Sequence, residues 1–111
     1  MYRVEVARTV AEGDLHTLGG PDRQRVLAKM RTLAFSPKRH KPLRGSLRGL
    51  WSVRAGAIRI IYLIDDGANR VVVVAVGRRR SGHTDDIYRR GSSRSSETDQ
   101  GDTISMPDVG P

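Results

Sequence analysis

The chain contains no cysteine. That removes disulfides and thiolate metal sites and agrees with a reducing, cytoplasmic setting. Its three histidines, His16, His40 and His83, are far apart and lack the spacing of a metal-binding pair, so no metal is expected. The N-terminus has no long apolar run, which argues against a leader peptide or a membrane span. No basic amphipathic helix with bulky apolar residues stands out, which places a membrane surface last among partners. There is no internal repeat. From Gly91 onward Ser, Gly, Asp, Thr and Pro dominate and apolar residues nearly vanish.

What the chain has in excess is positive charge. Its 111 residues, room for one small domain, carry 20 Lys+Arg against 12 Asp+Glu, formally +8. The distribution is uneven: residues 1–90 hold 19 basic against 8 acidic side chains, +11, and residues 91–111 hold 1 against 4, −3. A basic domain of this size favours a polyanionic partner.

The pattern of apolar residues predicts the elements. Tyr2, Val4 and Val6 alternate with Arg3 and Glu5, a half-buried strand. Thr9 and Glu12 have the spacing of a capping box before a short helix bearing Val10, Ala11, Leu15 and Leu18. Pro21 suits the first turn of a second helix, whose apolar stripe is Val26, Leu27, Met30, Leu33 and Ala34. Ser36-Pro37 ends it. Lys38–Gly49 is a basic loop. Leu50–Arg54 and Ala57–Asp65 form a hairpin, predicted to turn at Ala55-Gly56. The near-continuous apolar run Arg70–Val76 reads as a central strand buried on both faces. Ile87–Arg90 begins a last helical turn or a short strand. The order β-α-α-β-β-β predicts an α+β fold over residues 1–90, two N-terminal helices packed on a four-stranded, mainly antiparallel sheet. Residues 91–111 are expected to form a disordered acidic tail.

Within the hairpin, Trp51, Val53, Ile58 and Ile60 share one face, and Ser52, Arg54 and Arg59 the other. Like charges side by side on a sheet are unfavourable. Their usual reason to be there is an anion between them. Lys41, Arg44 and Arg48 upstream and Arg78, Arg79 and Arg80 downstream extend the basic surface and are candidate RNA-backbone contacts.

Taken together, Leu43-Arg44-Gly45, the run Trp51-Ser52-Val53-Arg54 with Arg59-Ile60-Ile61-Tyr62, Val76-Gly77-Arg78-Arg79 and Asp86-Ile87-Tyr88 resemble, in order and spacing, the RelE/ParE toxin superfamily of type II toxin–antitoxin systems. The resemblance covers Met1 to about Tyr88. It implies a RelE-like fold, an antitoxin partner and one of two activities. RelE-like members are mRNA interferases that enter the ribosome and cut mRNA through attack of a 2′-hydroxyl on the neighbouring phosphate, without metal or other cofactor. ParE-like members share the fold and inhibit DNA gyrase. A third reading is an inactive basic relative that binds nucleic acid. For the nuclease, the resemblance implies that Arg59 and Arg79 bind the scissile phosphate, that Arg54 supports them and that Tyr88 lies at the reaction centre. His83 is a further acid–base candidate, because some relatives use a C-terminal histidine and its intrinsic pKa suits proton transfer. One departure stands out: Ser52 occupies the position of a lysine that RelE ties to base chemistry, and Arg54 cannot readily replace a base because guanidinium stays protonated.

Overall fold

The computed structural model of the chain describes residues 1–78, 86–99 and 101–106. Strand β1 (Arg3–Ala7) leads directly into a five-residue helix, α1 (Arg8–Glu12), and a 3₁₀ turn over Asp14–Thr17. Helix α2 (Gly20–Thr32) follows, with Pro21 in its first turn as expected. A two-residue strand, β2 (Lys41–Pro42), precedes β3 (Leu50–Ala55), β4 (Ile58–Asp65) and β5 (Arg70–Arg78). The chain ends in α3 (Asp86–Asp99) and β6 (Thr103–Ser105).

The strands form one mixed sheet in the order β2-β3-β4-β5-β1-β6. β1 runs parallel to β5, and the other pairings are antiparallel. The predicted four-stranded sheet is thus six-stranded. The two added strands are too short to show a period of two in the sequence, and each is held by its neighbour.

Both faces of the sheet are covered. On one, Val6, Val53, Ile58, Ile60, Tyr62, Val71, Val73 and Val76 pack with Val10, Leu15, Leu18, Val26, Leu27, Met30 and Leu33 from the N-terminal helices. On the other, Leu50, Ile61, Val72, Val74 and Ala75 pack against Ile87, with Leu43, Leu47, Leu63 and Tyr88 at the margin. Val71 to Val76 are all buried, as the apolar run required of a central strand. Each such side chain contributes about 1.5–3 kcal/mol when fully removed from water. A bulge shapes this strand. Ile61 pairs with Ala75 but Tyr62 pairs with Val73, so Val74 is the extra residue. The second apolar cluster holds both Val74 and Ala75.

Three local expectations are corrected. The helix after β1 starts at Arg8 with Ala7 as its cap and no side-chain capping bond, so Thr9 and Glu12 do not form a capping box. The hairpin turns at Gly56-Ala57 instead of Ala55-Gly56: Gly56 takes φ +64, the conformation that a two-residue turn with glycine first requires. Ala55 therefore faces Ile58 and Arg54 faces Arg59 directly. Finally, the segment expected to be a disordered tail from Gly91 carries ordered structure. The helix runs through Gly91 to Asp99, and β6 pairs antiparallel with β1.

The ordering of this segment rests little on apolar residues. A Cβ built on Gly91 would lie 2.9 Å from Ile61 Cγ2 and 3.3 Å from Val74 Cγ2, so the absence of a side chain lets α3 lie close on the sheet. Arg94 donates to the buried Asp14 carboxylate at 2.7 Å, and Arg90 reaches the same carboxylate at 3.3 Å. At the far edge, Thr103 donates to Glu5 at 2.7 Å and Arg8 to Asp102 at 3.0 Å. Ile104 and Met106 pack against the first apolar cluster.

Candidate functional site

The site lies on the α3 side of the sheet, at the corner where β2, β3 and β4 meet. Alternation places it there. Val53, Ala55, Ile58 and Ile60 fill the core under the N-terminal helices. The residues between them, Ser52, Arg54 and Arg59, therefore point to the opposite face. Directly opposed side chains start about 4.5–5.5 Å apart, close enough for two guanidinium groups to grip one phosphate. Arg54 is exposed and Arg59 half-buried. Neither has an acidic partner among the described residues.

The neighbours of this pair are fixed by register and by α3. Gly77 of β5 lies opposite Arg59. A Cβ at Gly77 would stand 2.6 Å from Arg90 Nη2 and 3.7 Å from Ile87 Cδ1, so the Arg90 guanidinium fills the space that a side chain would take. Tyr88, half-buried on α3, packs against the same apolar cluster as Leu50 and Ile61. On the other side of the corner, Lys41 of β2 lies opposite Ser52. The loop bearing Arg44 and Arg48 follows β2 and leads into β3, anchored by Leu43 N–H to the Leu50 carbonyl at 2.9 Å.

The fold thus brings Arg54, Arg59, Tyr88 and Lys41 to one face, with Arg44 and Arg48 beside them. Arg78 is not with them. It is next to Gly77 in β5 and opposite Ile58, so it points to the helical face, where it binds Asp22 of α2 at 2.7 Å. Arg79, Arg80 and His83 lie outside the described residues. No sequence signal marks Arg90 over Gly77, and Lys41 reads as loop because β2 is only two residues long.

Tyr62, three residues after Arg59, supports the site from below. It is fully buried, stacks on Trp51 with ring centroids 6.4 Å apart, and donates to the Pro37 carbonyl at 2.6 Å. Burial pushes its phenol well above the ordinary tyrosine range. A phenol so held is a structural pin between β4 and the turn after α2. His40, beside β2, is held below the ordinary imidazole value by burial and by the nearby Lys29 and Arg39 charges.

The profile of the family described as "ParE toxin of type II toxin-antitoxin system, parDE" matches residues 9–82. Toxin RelG of Mycobacterium tuberculosis is 41% identical over 88 residues, covering 74% of this chain and 91% of that protein. Toxin RelE of the same organism is 34% identical over 88 residues, covering 74% and 86%. The crystal structure of the RelBE2 toxin–antitoxin complex, also from M. tuberculosis, contains a chain that superposes with a TM-score of 0.55 at 38% identity, covering 70% of this chain and 98% of that one. The chain belongs to the RelE/ParE superfamily of type II toxin–antitoxin toxins.

Proposed function

We propose that this toxin is a ribosome-dependent endoribonuclease that cuts mRNA in the cytoplasm. The observation that carries the reading is the directly opposed pair Arg54 and Arg59, on a hairpin and without an acidic partner among the described residues. Such a pair costs stability unless an anion lies between the two charges. In the reaction, the 2′-oxygen bonds to the adjacent phosphorus as its proton leaves. The bond from phosphorus to the 5′-oxygen breaks, and that oxygen gains a proton. Arg59 and Arg79 hold the non-bridging oxygens, Arg54 adds charge as the transition state becomes more negative, and Tyr88 or His83 moves a proton. Holding the 2′-oxygen in line with the leaving oxygen supplies much of the rate. Lys41, Arg44, Arg48 and Arg80 meet the RNA, whereas Arg78, turned to the other face and paired with Asp22, does not. A cognate antitoxin neutralises the basic surface with acidic residues and an amphipathic helix. The crystallised complex of the M. tuberculosis relative supports that partner.

The test is induced expression in a bacterium with primer-extension mapping of abundant mRNAs. Cuts within translated codons are expected, and they disappear with Arg59→Ala although the variant stays folded. If that variant cleaves like the wild type, the phosphate assignment is wrong. The match to the ParE profile favours a second reading, a non-enzymatic gyrase inhibitor. Growth arrest with intact mRNA and a DNA-damage response selects it.

A further inference from the structure

The corner of the sheet contains a hydroxyl without a partner among the described residues. Ser52 Oγ is buried, and no described residue hydrogen-bonds to it. It lies on the face that carries Arg54 and Arg59, one pleat away from Arg54 on the same strand. The register of β2 puts Lys41 directly opposite it. Leu43, just beyond the strand and held to β3 by its N–H to the Leu50 carbonyl at 2.9 Å, packs in the apolar cluster with Leu50, which agrees with this direction for Lys41. Lys41 is exposed at the sheet edge and has no acidic partner among the described residues. Opposed side chains start about 4.5–5.5 Å apart and diagonal ones about 7–8 Å apart, distances that a four-carbon stem can cover. Three unpaired cations, Lys41, Arg54 and Arg59, therefore stand round one small residue with an unused hydroxyl.

We propose that Lys41 is a catalytic residue that contacts the scissile phosphate, its ammonium completing a three-sided cationic site over Ser52 with Arg54 and Arg59. The proposal rests on the nuclease reading above. The lysine keeps its proton throughout. As the 2′-oxygen bonds to phosphorus and the 5′-oxygen leaves, the ammonium holds a non-bridging oxygen whose charge rises in the transition state. This differs from a backbone grip, which would act equally on the ground state and the transition state.

The discriminating experiment is single-turnover cleavage of mRNA on programmed ribosomes by the wild type, Lys41→Ala, Lys41→Arg and Arg59→Ala, each first checked by thermal melting. Lys41→Ala is expected to lower the rate at saturation about 100-fold while half-saturation is unchanged. Lys41→Arg is expected to recover most of that loss, because the charge is restored at the same edge. A change in half-saturation alone, or no change, with Arg59→Ala still inactive, overturns the role of Lys41 and leaves the nuclease reading standing. Cleavage by neither the wild type nor any variant overturns both.

Discussion

Arg54 and Arg59 oppose each other across β3 and β4 with no acid beside them among the described residues, while Arg90 and Arg94 reach from α3 to a shared carboxylate on Asp14. The two groups are close in the fold but differ in how their charge is met. β5 extends beyond the end of β1, which pairs with it only as far as Val73. The backbone groups left unpaired there are met by side chains: Val76 N–H donates to Asp14 Oδ2 at 2.9 Å, and Arg94 donates to the Val74 carbonyl at 3.3 Å. Asp14 and Arg94 thus stand in for a missing strand and fasten α3 in the same stroke. At the corner, nothing inside the described protein answers the charge.

The largest way to break this contrast is Asp14→Ala. It leaves two arginines and a strand N–H without their carboxylate, and removing one partner of a buried ion pair costs about 3–5 kcal/mol. Urea denaturation should show that loss, with early hydrogen exchange in α3; a loss no larger than that of a surface substitution would mean that the clamp is incidental. A smaller effect of opposite sign is expected at the corner. Arg54→Gln or Arg59→Gln should raise stability by about 0.2–1 kcal/mol by relieving like-charge repulsion, while weakening toxicity. Added salt should narrow the gap. The smallest effect is at the sheet edge. Burial disfavours the Glu5 carboxylate, but Thr103 and Arg70 outweigh it and hold the carboxyl below the ordinary range. A depressed folded-state value means that the contribution is present above the unfolded value and is lost as pH falls through the folded one. The stability difference between the wild type and Glu5→Gln should therefore be constant near neutrality and close in acid. A difference that persists at the acid end would show that the tie is not ionic.

How much of this could be read from the chain depended on which force ordered each part. α2, β4 and β5 are ordered by apolar burial with a regular period, and their stripes were visible. The faces of Arg54 and Arg59 followed from alternation alone. The hairpin turn was placed one residue early, which shifts the pairing by two residues and leaves the faces unchanged, because Ala55-Gly56 and Gly56-Ala57 are both plausible turns and only the backbone angle of Gly56 separates them. The part of α3 from Gly91 on, and β6, were missed because what secures them is largely the bare Cα of Gly91 and ion pairs to Asp14 and Asp102, and neither leaves a periodic mark. Arg78 was grouped with its neighbours in sequence, yet a one-residue step along a strand carried it to the other face. Lys41 stands across the ladder from Ser52, a relation that exists only once the strands are paired.

The position of β1 also determines when the protein can be finished. β1 is completed late, because its two neighbours are β5, more than sixty residues later, and β6, about a hundred residues later. Contacts so distant in sequence form slowly, after long loops have closed. Until β6 and α3 have docked, β1 presents an open sheet edge and Asp14 lacks the arginines that pair with it. That incompletely closed sheet is the state most open to capture by another chain.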